Sequence, residues 1–256
     1  MAYGSLDFYS ECLKRTVTFK FILPNETDDM TTAPMRLLLL LHGYNGTHTD
    51  WMLNSKVLEF AVKYHMCIVM PTGENSFYLD GEATGRKYAA FIGEELPNYI
   101  RKTFPVSDLR SETYIGGFSM GGFGALHTAF KYSETFGKVF ALSSALIIHE
   151  VKNMKPGKGN DIANYEYYRL MFGQPERLEI SENNPEELIR QLLMEEKEIP
   201  QIFMACGTSD FLLENNREFA DFLKENGVEH TYLESEGDHN FEFWNAYLDI
   251  AMKWLL

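Results

Sequence analysis

The sequence has few cysteines, and they lie far apart. Cys12, Cys67 and Cys206 form an odd number with no CxxC spacing. Small secreted domains are held by closely spaced disulfides, so this pattern argues against a disulfide framework and favours a reducing compartment. The first residues contain neither the basic nor the apolar stretch of a signal peptide. We therefore expect a cytoplasmic protein.

Basic residues and long apolar runs are also scarce. Lys and Arg number 23 against 37 Asp and Glu, a formal net charge of -14. Such a surface repels nucleic-acid phosphates and anionic lipids. The leucine run at 37–41 falls far short of the roughly 20 apolar residues that cross a bilayer. We expect neither nucleic acid nor a membrane as a partner.

What remains is an ordinary globular chain of 256 residues, 45% hydrophobic and 23% charged. Strand patterns alternate along it with helical patterns, which is typical of an α/β fold with a mostly parallel sheet covered by helices on both faces. The first strand is expected to be antiparallel and near an edge. Predicted strands cover 15–23, 36–41, 66–70, 111–115, 138–143, 201–205 and 230–234. Predicted helices cover 53–64, 88–101, 185–198, 213–226 and 241–256, with loops at 25–34 and 72–87. A glycine-dense turn is predicted at 116–124, followed by a helix that ends at about residue 132.

The segment 144–200 is longer than a simple crossover between neighbouring parallel strands requires. We expect it to form a cap-like insertion over the carboxyl end of the sheet, inside a single domain that spans 1–256. It carries an aromatic patch with two readings, because clustered rings serve recognition and packing alike. The patch either lines a substrate pocket or packs the insertion's own small core, and its members are Tyr165, Tyr167, Tyr168 and Phe172.

One pentapeptide, Gly117-Phe118-Ser119-Met120-Gly121, matches the pattern GxSxG. An apolar strand runs into it and a helical pattern follows, which is the setting of a nucleophile elbow. There the serine sits in a strained conformation, and glycine at the flanking positions avoids clashes with the strand and helix. The alternative is a glycine-rich turn with an ordinary helix-capping serine. We predict that Ser119 is a nucleophile.

A serine nucleophile needs a base, and the base needs an acid that orients it. His239 lies in a polar turn before the last helix, and Asp210 follows the end of a predicted strand. The chain order Ser, Asp, His is that of α/β-hydrolases. Asp238 is a poorer candidate because adjacent side chains diverge, and Asp221 falls within a helix. A structural histidine and a turn aspartate are the simpler alternatives. We predict that His239 and Asp210 complete a catalytic triad.

The tetrahedral intermediate of such a reaction needs two backbone donors. Met120 is predicted to supply one. The loop 42–46 follows a buried strand and is predicted to supply the other, from the amide of Tyr44 or, failing that, of Gly43 or Asn45. A plain loop with two glycines is the alternative. Substrate contacts are predicted for His42, Gly43, Phe118 and Tyr168.

Together these motifs resemble the esterase D-like branch of the α/β-hydrolases, which includes tributyrin esterases, feruloyl esterases and S-formylglutathione hydrolases. The resemblance covers nearly the whole chain and implies the α/β-hydrolase fold, with Ser119, Asp210 and His239 as its triad. It implies no metal and no cofactor. The motifs that carry it are Leu-His-Gly-Tyr-Asn-Gly at 41–46, Pro-Thr-Gly at 71–73, Gly-Phe-Ser-Met-Gly-Gly-Phe-Gly-Ala-Leu at 117–126, Gly-Thr-Ser-Asp at 207–210 and His-Asn-Phe-Glu-Phe-Trp at 239–244.

The sequence departs from this family in two places. S-formylglutathione hydrolases usually carry a cysteine in the loop after the leucine-rich strand, and residues 43–50 contain none. This favours the short-chain or carbohydrate-associated esterases. Phe118 and Phe123 stand where relatives often have histidine, which makes the surroundings of the elbow more apolar.

We therefore expect a serine carboxylesterase that acts through an acyl-enzyme on a small-molecule ester. Short-chain acyl, acetylated-sugar and feruloyl-type esters are the candidate substrates. The alternatives are an S-formylglutathione hydrolase, another thioesterase or an acyltransferase with the same triad, or a non-catalytic binding protein on a hydrolase fold. The sequence leaves open whether the chain forms a homo-oligomer.

Overall fold

The computed structural model describes residues 1–24 and 34–256, so most of the loop predicted at 25–34 lies outside the described residues. The described chain forms one eight-stranded sheet. Its strands are β1 (Ala2–Ser10), β2 (Arg15–Leu23), β3 (Arg36–Leu41), β4 (Met66–Pro71), β5 (Thr113–Phe118), β6 (Lys138–Leu142), β7 (Gln201–Gly207) and β8 (His230–Ser235).

The strand order is β1-β2-β4-β3-β5-β6-β7-β8. β2 is antiparallel to both β1 and β4, and the strands from β3 to β8 are parallel. This confirms the mostly parallel sheet and the antiparallel first predicted strand. The order reverses direction at β3 and β5, and the carboxyl edge beside such a reversal is where open α/β sheets bind ligands.

Helices cover both faces of the sheet, and the side chains of β3 show how. Leu37, Leu39 and Leu41 belong to one core, while Leu38 and Leu40 belong to the core on the opposite face. Successive residues of a strand point to opposite faces, so a strand covered on both sides is apolar throughout. The leucine run therefore marks the centre of the fold.

The helices are α1 (Asp50–Asn54), α2 (Val57–Lys63), α3 (Tyr88–Ala90), α4 (Leu96–Thr103), α5 (Met120–Lys131), α6 (Ile148–Asn153), α7 (Tyr165–Phe172), α8 (Pro185–Met194), α9 (Leu213–Glu225) and α10 (Phe241–Trp254). A π-helical turn, Phe91–Glu95, joins α3 to α4. Over the described residues, no helix combines the length and the apolarity needed to cross a bilayer.

Several local predictions differ from the structure. The helix predicted at 185–198 ends at Met194, and the glycine-dense turn predicted at 116–124 is formed by the end of β5 and the start of α5. The helix predicted at 53–64 is divided into α1 and α2, because Ser55 is extended and its hydroxyl donates to the Trp51 carbonyl at 2.5 Å. The strand β1 was not predicted at all. Its apolar residues alternate only weakly, since Gly4, Ser5 and Asp7 disfavour a strand, and it forms through pairing along the whole of β2.

The segment 144–200 divides into two parts in space. α8 packs beside α5 and adds Leu188, Ile189 and Leu192 to the core on that face of the sheet. α7 instead reaches the carboxyl edge, where the Tyr167 hydroxyl donates to the Asn75 carbonyl at 2.7 Å. α7 thus contacts the loop after β4, while α8 serves as the crossover helix before β7.

Candidate active site

Ser119 lies in the turn between β5 and α5, with φ 54° and ψ -122°. Positive φ is rare for a residue other than glycine and marks strain. The backbone around it is tied down on three sides. Its N–H donates to the Leu142 carbonyl at 2.9 Å, and its carbonyl accepts from the amides of Phe123 at 3.1 Å and Ala145 at 3.0 Å. These bonds hold the strained conformation that exposes the hydroxyl.

The glycine at 121 is required by close approach of the backbone. A Cβ at this position would lie 2.4 Å from the Leu41 carbonyl oxygen and 2.6 Å from that of His42. These atoms are backbone and cannot move aside easily. Gly121 therefore allows α5 to begin directly against the end of β3, which places the loop 42–46 beside Ser119.

The structure brings the three predicted triad side chains together. His239 Nε2 lies 3.0 Å from Ser119 Oγ, and His239 Nδ1 lies 2.9 Å and 3.1 Å from the two Asp210 oxygens. The Nδ1–H donates to the carboxylate, which leaves Nε2 as the acceptor for the serine proton. The side chains of His239 and Asp210 are 17% and 0% exposed.

Asp210 is buried and yet stabilised as an anion. Burial raises the pKa of this carboxyl, but the hydrogen bonds from His239, the Leu212 amide and the Ser143 hydroxyl outweigh it, and the net pKa is lowered. The Leu212 N–H lies 2.9 Å from Asp210 Oδ1. A carboxylate that accepts several hydrogen bonds keeps its charge inside a protein. It can therefore orient His239 and stabilise its protonated form.

Trp244 connects the elements around this carboxylate. Its Nε1 donates to Ser143 Oγ at 3.0 Å, and its ring stacks on Phe118 with centroids 4.1 Å apart. The same ring meets His239 edge-on at 5.1 Å. Trp244 thus packs beneath the imidazole and anchors the hydroxyl that supports Asp210.

The loop 42–46 uses most of its amides internally. His42 N–H donates to the Tyr78 hydroxyl at 3.0 Å, Asn45 N–H to the Asn75 side-chain oxygen at 2.7 Å, and Gly46 N–H to the Gly43 carbonyl at 3.1 Å. The amides of Gly43 and Tyr44 have no acceptor in the part of the chain that the structure describes. Asn45 is thereby removed from the candidate oxyanion donors. Met120, the first residue of α5, lies where a helix has unsatisfied N–H groups.

His42 holds this loop from inside the protein. Its Nδ1–H donates to the Gly43 carbonyl at 2.7 Å, and its Nε2 accepts from the Gly73 amide at 2.9 Å. The side chain is 1% exposed, and burial lowers its pKa, so it is neutral. Both ring nitrogens are occupied, which places His42 behind the loop rather than on its substrate side.

Two other predicted contact residues are also in the core. Phe118 packs among Trp51, Phe241 and Trp244. Tyr168 is 2% exposed and donates its hydroxyl to Asn160 Oδ1 at 3.1 Å. Their rings are used in packing. Gly43 keeps its predicted place, since a Cβ on it would lie 3.4 Å from Ser119 Cβ.

Other aromatic side chains face the edge of the site. Tyr44, partly exposed, meets Tyr167 of α7 with ring centroids 5.7 Å apart. The ring centroid of Phe211 lies 4.6 Å from that of His239, and Phe211 is 66% exposed. One aromatic contact therefore joins the loop 42–46 to α7, and another places a ring of the turn after Asp210 against His239.

The sequence did not single out Ser143, Trp244 or Phe211. Trp244 belongs to one of the motifs that carry the family resemblance, and Phe211 directly follows Asp210. Their positions in the sequence, close to predicted triad residues, were therefore the available signal for both. Ser143 has no local signal, because its contact with Trp244 spans 101 positions. Over residues 1–24 and 34–256, no group of three or more His, Cys, Asp or Glu side chains is arranged to hold a metal ion.

The model of the Esterase family matches residues 10–255. The protein belongs to the Esterase family. A curated relative of this esterase, the acetyl esterase of Caldicellulosiruptor saccharolyticus, is 40% identical to it over 261 residues, which cover 100% of this chain and 98% of the relative.

Two solved structures from Staphylococcus aureus are close in shape. Fluorophosphonate-binding serine hydrolase F, with substrate bound, has a TM-score of 0.87 and 26% identity, and an S-formylglutathione hydrolase has a TM-score of 0.85 and 27% identity. Each comparison covers 99% of this esterase and 98% of the other chain. The predicted α/β-hydrolase fold and the predicted family are confirmed, and the protein is a carboxylic ester hydrolase.

Proposed function

We propose that this esterase is a serine carboxylesterase in which Ser119 is the nucleophile, His239 the general base and acid, and Asp210 the group that orients His239. The observation that carries the proposal is the contact of 3.0 Å between His239 Nε2 and Ser119 Oγ, with Asp210 on the other ring nitrogen. This is the arrangement that activates a serine hydroxyl.

In the first half of the reaction, Ser119 Oγ attacks the ester carbonyl while His239 Nε2 takes the hydroxyl proton. The amides of Met120 and Tyr44 hold the negative oxygen of the tetrahedral intermediate. The intermediate collapses as His239 returns the proton to the departing alcohol, and an acyl-enzyme remains. Water, deprotonated by His239, then releases the acid and restores Ser119.

We further propose that acetyl and other short acyl esters are the substrates. The acetyl esterase that is 40% identical over the whole chain supports this choice. So does the absence of cysteine from residues 43–50, where S-formylglutathione hydrolases usually carry one. Thioester hydrolysis is the second candidate, because an S-formylglutathione hydrolase shares the fold at 27% identity.

The experiment compares wild type with Ser119→Ala on acetyl, butyryl, octanoyl, feruloyl and acetylated-sugar esters and on S-formylglutathione. We expect the highest kcat/KM on acetyl esters, complete loss in the variant, and fluorophosphonate labelling of wild type alone. Ser209→Ala, an exposed serine near the carboxyl edge, is the control and should keep activity. Turnover or labelling that survives in Ser119→Ala contradicts the proposed nucleophile, and a preference for S-formylglutathione favours the second candidate.

We also propose that the enzyme works in the cytoplasm. All three cysteines are unpaired in the structure. Unpaired thiols are typical of proteins in a reducing compartment. Fractionation of the native cells should find the activity with soluble cytoplasmic markers, and activity in the culture medium contradicts this assignment.

A further inference from the structure

Phe211 is the exposed aromatic side chain that lies against the imidazole of His239. It is 66% exposed, whereas Trp244, the other ring on His239, is 5% exposed. Isolated exposed apolar residues are common on protein surfaces and need no explanation. Phe211 differs in its location, because the ring centroids of Phe211 and His239 are only 4.6 Å apart.

The turn that carries Phe211 is fixed by the same carboxylate that orients His239. The Leu212 amide donates to Asp210 Oδ1 at 2.9 Å, and the Leu213 amide donates to the Asp210 carbonyl at 3.0 Å. The position of the Phe211 backbone is therefore coupled to the acid of the proposed triad. An exposed ring held on a rigid turn loses little conformational entropy when a ligand covers it.

The chemistry of the proposed reaction decides which half of the ester reaches this ring. His239 Nε2 must give its proton to the oxygen of the departing alcohol, so the alcohol lies on the His239 side of Ser119. The acyl carbonyl instead points to the amides of Met120 and Tyr44. A residue that flanks His239 therefore meets the alcohol.

We propose that Phe211 is a specificity-determining residue that binds the alcohol half of the ester, and that it selects alcohols with a flat apolar ring face, either aryl or the C–H face of a pyranose. The inference rests on the proposed function of Ser119 and His239. During hydrolysis of the acyl-enzyme a water molecule replaces the alcohol, so Phe211 contributes to acylation and not to deacylation.

The test measures kcat/KM of wild type, Phe211→Ala and Phe211→Trp on a series of acetates with one acyl group: ethyl acetate, phenyl acetate and an acetylated methyl pyranoside. Phe211→Ala should reduce kcat/KM for the ring alcohols by about two- to tenfold relative to ethyl acetate, the range for loss of one aromatic contact. Phe211→Trp should retain the wild-type ratio of kcat/KM for the ring alcohols to kcat/KM for ethyl acetate. Comparing the loss of kcat/KM for phenyl acetate with that for the acetylated pyranoside shows whether Phe211 binds aryl or sugar alcohols more strongly.

Tyr9→Ala, which removes a 55% exposed ring from β1, is the matched control and should change no ratio. An equal loss on ethyl acetate and the ring esters overturns the proposal, because it would mean that Phe211 only shields His239 from water. Slower release of the acetyl group from a preformed acetyl-enzyme overturns it as well. If wild type hydrolyses none of the acetates and Ser119 is not labelled, the proposed function fails and the inference fails with it.

Discussion

Ser143 accepts a hydrogen bond from the Trp244 indole, with 3.0 Å between Oγ and Nε1, and turns the same hydroxyl towards Asp210. Ser143 is fully buried and has a φ of 47°, so its backbone is strained as well. Strained residues persist where the surrounding structure holds them, and they concentrate at active sites. This contact links α10 to the acid of the proposed triad.

Ser143→Ala should lower kcat by about tenfold or more with little change in KM, because a hydrogen bond to a buried charge is worth roughly 1.5–3 kcal/mol. The loss arises because Asp210 would stabilise the protonated His239 less well. The neighbouring Ser144→Ala is the matched control, since the buried Ser144 hydroxyl has no hydrogen-bond partner in the described chain. Steady-state kinetics on one acetate ester measures both variants, and equal effects on kcat would contradict the assigned role of Ser143.

Gly43→Ala should lower kcat by about a hundredfold, the usual cost of one displaced oxyanion donor. The new Cβ would lie 2.6 Å from Phe118 Cε2, and Phe118 cannot yield because it stacks on Trp244. The loop must therefore move and carry the Tyr44 amide with it. Gly81→Ala serves as control, since its Cβ would also make a close contact, 3.1 Å from Arg86 Cβ, but with no residue of the proposed site. Activity near that of wild type would argue against the Tyr44 amide as donor.

Tyr78→Phe should destabilise the fold by about 1–3 kcal/mol, because buried hydrogen-bonding groups would lose their partner. The Tyr78 hydroxyl accepts from the His42 amide at 3.0 Å and donates to the His42 carbonyl at 3.1 Å. The same hydroxyl fixes the loop 42–46, so we expect kcat to fall together with stability. Urea unfolding and kinetics measure the two effects, and unchanged values for both would show that the hydroxyl supports neither.

His127 should make the folded state sensitive to mild acid. Burial and the nearby Lys131 lower its pKa to about 4, whereas an unfolded histidine titrates near 6.5. The unfolded chain then binds more protons between these values, so stability is lost as the pH falls from about 6.5 towards about 4. Its Nε2–H donates to the Glu182 carbonyl at 2.8 Å, an interaction that glutamine can imitate.

Between about pH 7.5 and about pH 5, the free energy of unfolding should therefore fall by about 2 kcal/mol more in wild type than in His127→Gln. Urea unfolding of both proteins at the two pH values measures these changes. Subtracting the change in the variant from the change in wild type cancels the contribution of the titrating groups that both proteins share. Parallel losses in the two proteins would show that His127 does not cause the sensitivity.

Much of this site could be predicted because its signals are local. The glycines and serine at 117–121 stand between a strand and a helix, and the positions of Asp210 and His239 follow the ends of β7 and β8. The contact of Ser143 with Trp244 escaped prediction because it depends on the packing of distant elements. Substrate contacts were predicted for His42, Phe118 and Tyr168, but their rings are buried. Residue type and position in the sequence do not reveal whether a ring faces the core or the substrate.

Edge strands show a related limit. β2 was predicted from its own alternation, whereas β1 depends on β2 for nearly all of its hydrogen bonds. One face of β1 is open to solvent, and the side chains on it, Tyr3, Ser5, Asp7 and Tyr9, are exposed. A sequence that buries so little carries a weak pattern, because hydrophobic alternation records burial.

The backbone of Ser119 is tied to Leu142, Phe123 and Ala145, which belong to the end of β6, to α5 and to the loop that follows β6. These elements lie in the middle of the sheet and not at a frayed margin. Ser119 therefore cannot unfold locally while the rest of the protein stays folded. On heating, catalysis should persist until the whole domain melts, so that the temperature of inactivation and the temperature of unfolding coincide.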